Sequence, residues 1–500
     1  MQHSRRNALK LGSAALMLAS LGNPDARAQA SRDTVTFSLS SEPPTLDPTT
    51  QPSTVLSSVT LLNVFEGLTR FNESGEITPC LAESFTRTSP TEYEFRLRKG
   101  VKFHDGSPFT AQDVKFTFER NASDKSTNKR KRVFTNIEAI QTPDDHTVIV
   151  KLKKASWIFL SYLAEFSSAI VSPKTADTNA TQPVGTGPYR LTNWIKGDSV
   201  TLTRFEDHWS RDKLTFNTVK IRFVGDANAR VNALLSGELD VAPDFLSLDL
   251  IDKIKRDGRF AVGAGKSTDV HILCINNKSR LFSDVRMRRA VSHAIDRASL
   301  IDGAVNGFAV PLGTQMTPMY PQYADVTALS NYDPAKARKL MAEAGYPNGI
   351  DVTIKVPANL VWQRAAEIMQ AQFVESQIRM KIEVLEWAQW LDVVFRQKAY
   401  DLSIVTQPDP WTIFNYTDPN YFYQYDNPKF LEFATEADTA TSEAEFTSAI
   451  QAAQRQLAED AASAWLFSMA NVVVYKKELK GIWKDAPNKI NEVARWSWTS

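Results

Sequence analysis

Histidines, cysteines and clustered acids are the side chains that hold metals or move protons, and in this sequence they are scattered. Beyond the first 30 residues the histidines are His104, His146, His208, His271 and His293. Only His271 and Cys274 lie three positions apart, and they fall in a run read as a strand, so no pair of metal ligands is set on one helix face. His104 falls in Phe103-His104-Asp105-Gly106, which reads as a hairpin turn before it reads as a ligand or proton donor. Gly263-Ala264-Gly265-Lys266-Ser267-Thr268 has the ending of a phosphate-binding loop, yet position 260, where that loop needs glycine, is Phe260. The run is read as a loop before a strand over Val270–Ile275. There is no Gly-x-Ser-x-Gly elbow to present a hydrolase nucleophile. Paired carboxylates for glycoside chemistry can be drawn from many acids, and spacing singles out no pair. No catalytic or metal-binding constellation stands out, and neither a metal nor a cofactor is expected.

The elements around these residues follow from periodicity. Val35-Thr36-Phe37-Ser38-Leu39 alternates as a strand with one buried face. An apolar helical segment through Leu61–Phe65 is expected to close at Gly67. Tyr93, Phe95, Leu97, Val101 and Phe103 keep a period of two, and Thr110-Ala111-Gln112-Asp113 is a capping box that opens a helix through Val114 and Phe118. Lys125 to Arg132 reads as a solvated basic loop. Val148, Val150 and Leu152 mark a strand, as do Val219, Ile221 and Phe223. Gly185-Thr186-Gly187-Pro188-Tyr189 is a tight backbone turn. After residue 272 or so the texture shifts to longer helices. Met287, Val291, Ala294, Ile295, Ala298 and Ile301 form one apolar stripe. Asp333-Pro334 opens a helix that Gly345 closes. The helix marked by Ala365, Ile368, Met369 and Phe373 leads into a strand at Met380, Ile382 and Val384, the alternation of a crossover unit. A last helix covers Glu443 to Leu457.

The chain has 500 residues, more than the 250–300 or so that one core usually serves, so more than one lobe is expected. Apolar residues are 43% and charged residues 23%, which excludes a disordered or collagen-like chain. With 58 basic and 57 acidic residues the net charge is +1, which argues against a nucleic-acid surface. Two cysteines, Cys80 and Cys274, make no disulfide scaffold; two lone buried thiols are preferred over one bond. Arg5-Arg6, the soft apolar run Leu11–Ala19 and Ala28-Gln29-Ala30 read as an export signal over residues 1–30. Ser4 to Lys10 resembles the twin-arginine type, departing from it at Ala8. Cleavage after Ala30 would deliver Ser31–Ser500 to the periplasm. No cysteine near that point offers a lipid anchor, and no other run approaches the ~20 apolar residues of a membrane span.

Several segments together resemble the family 5 extracellular solute-binding proteins of ABC importers, which bind peptides, nickel and opines. They are Ser41-Glu42-Pro43 with Leu46-Asp47-Pro48, Val64-Phe65-Glu66-Gly67-Leu68, Leu81-Ala82-Glu83-Ser84-Phe85, the long block Tyr93 to Gly106 running on to Asp113-Val114, and Gly185-Thr186-Gly187-Pro188-Tyr189. Ser236-Gly237-Glu238-Leu239-Asp240, Asp284-Val285-Arg286, Ala294-Ile295-Asp296-Arg297 and Glu343-Ala344-Gly345-Tyr346-Pro347 complete the set. They occur in family order over nearly the whole exported chain.

The resemblance implies an α/β, two-lobed periplasmic binding protein (type II, cluster C-like) with an extra subdomain in lobe one and a ligand cleft between the lobes. Residues 31–71, 176–271 and 478–500 would form lobe one, 72–175 its subdomain and 272–477 lobe two, with crossings near 272 and 477 as hinges. In peptide-binding members an Asp of lobe two pairs with the ligand's α-amine, usually in a stretch containing Trp-Gly. The corresponding run here is Val405-Thr406-Gln407-Pro408-Asp409-Pro410-Trp411, which lacks that Trp-Gly. Asp409 is the candidate for the charge contact, and Gln407 lies beside it. A carboxylate facing a cation in a closed, drier cleft gains strength, and aromatic rings add stacking or cation–π contact. Trp411, Tyr416, Trp362 and Phe245 are candidates for such rings. Glu42, Asp244, Asn276 and Asn277 fall where the family places its pocket wall. The implied cargo is a short peptide or peptide-like solute, the alternatives being an opine, an oligosaccharide or a metal chelate. The partners would be the permease subunits of an ABC transporter in the inner membrane, and the protein a monomer that binds no nucleic acid. An exported hydrolase on the same scaffold and a chemoreceptor-linked sensor are readings of other classes.

Overall fold

The computed structural model describes residues 32–50, 54–245 and 247–499. The expected export signal lies outside the described residues. No helix among the described residues is long and apolar enough to cross a membrane.

Two large sheets organise the chain. The first has seven strands, in the order Phe260–Gly265, Asn471–Lys476, Val241–Ala242, Thr34–Leu39, Thr218–Phe223, Ser199–Arg204 and Tyr189–Ile195. The alternation of the opening strand has its cause here. Thr34–Leu39 pairs in parallel with Thr218–Phe223, setting Val35 beside Val219 and Phe37 beside Ile221, all fully buried. The second sheet has six strands, in the order Ala309–Pro311, Ser463–Met469, Val270–Ile275, Leu402–Gln407, Ile350–Pro357 and Ile378–Leu385. Val270–Ile275 and Ser463–Met469 are buried at every position because helices and neighbouring strands cover both faces. Ile350–Pro357, the helix Leu360–Phe373 and Ile378–Leu385 form the expected crossover, with the two strands parallel.

The chain passes between these sheets twice. It leaves Phe260–Gly265 in the first and enters Val270–Ile275 in the second, so residues 266–269 are one crossing. It leaves Ser463–Met469 and enters Asn471–Lys476, so Ala470 alone is the other. The crossings expected near 272 and 477 therefore come earlier. Alternation marks a strand but does not say which sheet will take it, and Asn471–Lys476 pairs antiparallel with Phe260–Gly265.

A four-stranded antiparallel sheet, in the order Ala82–Ser89, Glu92–Leu97, Thr147–Leu152 and Ile137–Asp144, stands apart from both. The helix Ala111–Ala122 covers it. The capping box is present: the Thr110 backbone N–H donates to Asp113 Oδ2 at 2.8 Å. Tyr93, Phe95 and Phe118 of this unit share one apolar cluster with Trp411, Phe446 and Trp465 of the second lobe. Trp157 stacks on Phe446 at 5.6 Å, and its backbone N–H donates to Asp438 O at 3.1 Å. Burying a ring of this size is worth about 1.5–3 kcal/mol, so the subdomain is held to the second lobe as well as to the first.

Three expectations change. The helix expected through Leu61–Phe65 ends at Thr60, and Leu62 takes a left-handed φ of 59° in the turn that follows. That turn exists to receive the Gly185–Gly187 loop. A Cβ at Gly185 would lie 2.0 Å from Val64 O, and one at Gly187 2.5 Å from Asn63 O. Close approach is what requires these glycines. The apolar stripe from Met287 to Ile301 is two helices, Val285–His293 and Arg297–Val305, because Asp296 caps the second by accepting from Ala298 N and Ser299 N. The basic stretch Lys125–Arg132 is partly folded into the helix Lys131–Thr135, and Arg130 at its start turns inward. Cys80 and Cys274 are buried free thiols in different apolar clusters.

Candidate functional site

A cavity of about 540 Å³ opens where the two lobes and the subdomain meet. Each wall is placed by a local device. The strand Leu402–Gln407 runs out at Pro408, and Asp409 caps the 3₁₀ turn Pro410–Thr417 by accepting from Trp411 N at 2.8 Å, with Pro410 at the first position. Arg130 comes from the start of the helix Lys131–Thr135, and Glu165 from the residue before the turn Phe166–Ser168. Thr268 comes from the crossing, and its hydroxyl donates to Pro408 O at 2.8 Å. Lys489 comes from the C-terminal segment.

The charges interlock. Arg130 Nε donates to Glu165 Oε2 at 2.8 Å and Nη2 to Oε1 at 3.1 Å, while Nη2 also donates to Asp409 Oδ2. The guanidinium thus ties the subdomain to the second lobe, and its Cζ lies 4.8 Å from the Tyr162 ring centre. Burial pushes Glu165 up to about 7, against the pull of Arg130. Lys489 Nζ lies 3.2 Å from both Asp244 Oδ1 and Asp269 Oδ2. Those two carboxylates outweigh burial and hold the ammonium above its usual range. Aromatic surface completes the cavity: Tyr320 and Trp411 meet with ring centres 5.7 Å apart, and the Tyr320 hydroxyl donates to Pro487 O at 3.4 Å.

Of the residues singled out in the sequence, Asp409 and Trp411 stand in this wall. Asp244 reaches it through Lys489 and lines a small adjoining void of about 40 Å³. The others are engaged elsewhere. The Glu42 carboxylate accepts from Trp194 Nε1 at 2.7 Å and Gly197 N at 3.0 Å. Phe245 is fully enclosed in the core. Asn276 Nδ2 donates to the carbonyls of Lys398 and Tyr400, and Asn277 Nδ2 to those of Tyr423 and Ala462, so both tie loops together. Trp362 Nε1 donates to Thr406 Oγ1, and Gln407 Nε2 to the Tyr423 hydroxyl. Tyr416 is buried, stacked on Tyr423 at 4.5 Å with its hydroxyl 2.8 Å from Ser463 Oγ. Arg130, Glu165, Lys489 and Tyr320 were not legible as site residues. Arg130 looked like part of a solvated charge run, and nothing local marks the other three.

His104, the histidine that drew attention in sequence, is structural. Its Nε2 meets Gly187 O at 2.9 Å, Gly185 N donates to its Nδ1 at 3.3 Å, and burial pushes it down to about 4. Among the described residues no group of three or more His, Cys, Asp or Glu is placed to hold a metal ion.

The family model for bacterial extracellular solute-binding proteins, family 5 (middle region), matches residues 76–430. The chain belongs to that family. The glutathione-binding protein GsiB of Escherichia coli K12 is 29% identical to this family 5 protein over 351 residues, covering 69% of this chain and 68% of the relative. GsiB of Shigella dysenteriae is 27% identical over 469 residues, covering 88% and 90%. Among solved structures, the binding protein AgaA of A. tumefaciens R10, in complex with agropinic acid, superposes with a TM-score of 0.77 at 27% identity, covering 93% of this chain and 99% of that one. The periplasmic binding protein DppA of Helicobacter pylori, in complex with the peptide STSA, gives 0.79 at 24% identity, covering 95% and 100%, and supports the fold. The family 5 protein is thus a two-lobed solute-binding protein of mixed α/β architecture.

Proposed function

We propose that this protein is the periplasmic component of an ABC importer that captures a short peptide or peptide-like solute. It closes its lobes over the solute and hands it to the membrane permease, acting as a monomer and breaking no bond. The observation that carries the reading is the cavity at the meeting of the lobes, whose wall takes charged groups from three parts of the chain and aromatic rings from the second lobe. A ligand bound there contacts both sides of the crossings at 266–269 and Ala470, so its binding energy favours the closed arrangement. Arg130, Lys489, Trp411 and Tyr320 are the proposed contacts, with Asp409 holding Arg130 in place. The twin-arginine leader would export the folded chain. Opine-like solutes are the second reading, favoured by the likeness to AgaA.

The test is a melting screen of refolded, ligand-stripped protein against pools of di- to hexapeptides, opines, oligosaccharides and metal chelates. A solute at 100 times its dissociation constant adds about 2.7 kcal/mol, a rise of roughly 2–3 °C for a chain of this size. Hits among peptides or opines, with a smaller radius of gyration on binding, support the proposal. Hits confined to oligosaccharides or chelates, or turnover of the bound solute seen by mass spectrometry, overturn it.

A further inference from the structure

Resting on that reading, the wall of the cavity goes further and constrains the chemistry of the solute. Its charged side chains are Lys129, Arg130 and Lys489 against Glu165 and Asp409. Every carboxylate oxygen of the two acids already accepts an N–H from the protein. Asp409 Oδ1 takes Trp411 N and Oδ2 takes Arg130, while Glu165 takes Arg130 on both oxygens. The cations are less fully engaged. The Nη1 end of Arg130 makes none of these bonds. Lys489 has three N–H donors and two carboxylates beside it. Lys129, exposed at the rim, has no ion-pair partner among the described residues. Cationic donors are left over, while the charge of both acids is already paired with Arg130; Asn488 Oδ1, which also lines the wall and has no hydrogen-bond partner, is a neutral acceptor.

We infer that the cleft selects its solute by a carboxylate rather than by a free α-ammonium, Arg130 standing in internally for the cation that Asp409 would otherwise take from the ligand. The class of solute is an amino-acid-derived acid whose amine is substituted: an N-acylated peptide, or an N-carboxyalkyl amino acid of the opine kind. A guanidinium fixed between two carboxylates is held in one plane, ready to receive a carboxylate on its open edge. A ligand ammonium entering the same place would have to displace a partly buried ion pair that is already formed. Discrimination against it arises from the occupied acid as much as from any new contact.

The experiment uses the exported, refolded chain and a defined di- to pentapeptide library in four forms: untreated, N-acetylated, amidated at every carboxyl group, and blocked at both. Retained species are quantified by mass spectrometry after gel filtration. Acetylation is expected to leave retention within about threefold, and amidation to lower it at least tenfold. Arg130→Gln, which leaves Asp409 and Glu165 without their internal cation, should make retention depend on a free amine. A tenfold loss on acetylation, or indifference to amidation, overturns the inference while leaving the peptide-like reading intact. Retention of no form, alongside binding of oligosaccharides or chelates in the melting screen, overturns the peptide-like reading itself and the inference with it.

Discussion

Replacing Arg130 by methionine is the most informative perturbation of the site. It keeps an unbranched apolar stem and removes the cation that pairs with both Glu165 and Asp409. In the wild type these side chains are 23%, 23% and 12% exposed. Removing one partner of a buried ion pair costs about 3–5 kcal/mol, and partial exposure brings this to about 2–3 kcal/mol at pH 8. Unfolding entropy of about 2.1 cal/mol/K per residue gives a chain this long about 1 kcal/mol per degree, so the midpoint should fall by about 2–3 °C. The pH dependence sharpens the test. Glu165 is raised from its ordinary 4.5 to about 7, so the folded protein binds a proton there that the unfolded chain does not hold between those values. Its contribution to stability therefore falls as pH rises through that window. Arg130 favours the charged form of Glu165, so its removal should hurt most above pH 7 and cost only about 1 °C at pH 5, where Glu165 is neutral. Scanning fluorimetry at pH 5 and pH 8 measures both. The double variant with Asp409→Asn should lose less than the sum of the two single losses, because it removes one of the two stranded charges. Equal losses at the two pH values, or additive losses in the double variant, would refute the coupling.

Three further outcomes follow from the same geometry. Gly185→Ala drives a methyl to 2.0 Å from Val64 O and should cost about 3 kcal/mol, read as a fall of about 3 °C in the melt. His104 is held neutral, down at about 4 from 6.5, so its contribution is lost as pH falls through that range; His104→Gln should flatten the acid limb of midpoint against pH. Trp157→Ala removes the ring stacked on Phe446 and should loosen the subdomain from the second lobe by about 2 kcal/mol, raising the ligand-free radius of gyration in solution scattering; an unchanged radius would sink this reading.

The sequence disclosed what is local and hid what is not. The capping box at Thr110 and Asp113, the Asp333-Pro334 helix start and the crossover from Ile350 to Leu385 were legible because each is set by residues a few positions apart. The break at Asp296 was missed because an apolar stripe at helical spacing reads through a capping residue. The cavity was harder still. Asp409 and Trp411 were reachable through a likeness in one loop, but Arg130 and Lys489 meet the site from opposite ends of the chain. A buried arginine and a solvated one are written with the same letter.

The two passages between lobes also set the mechanics of capture. One is the single residue Ala470 and the other only residues 266–269, and the Ser267 hydroxyl donates to Met469 O at 2.6 Å, pinning the two strands side by side. Two short, tied strands act as a flat strap that folds along one line and resists twisting or sliding. The aperture of the jaws then grows with distance from that line. Thr268, sitting on it, would move little as the lobes close. A solute seated against Thr268 is gauged for length from a fixed stop, as an object is gauged by calipers.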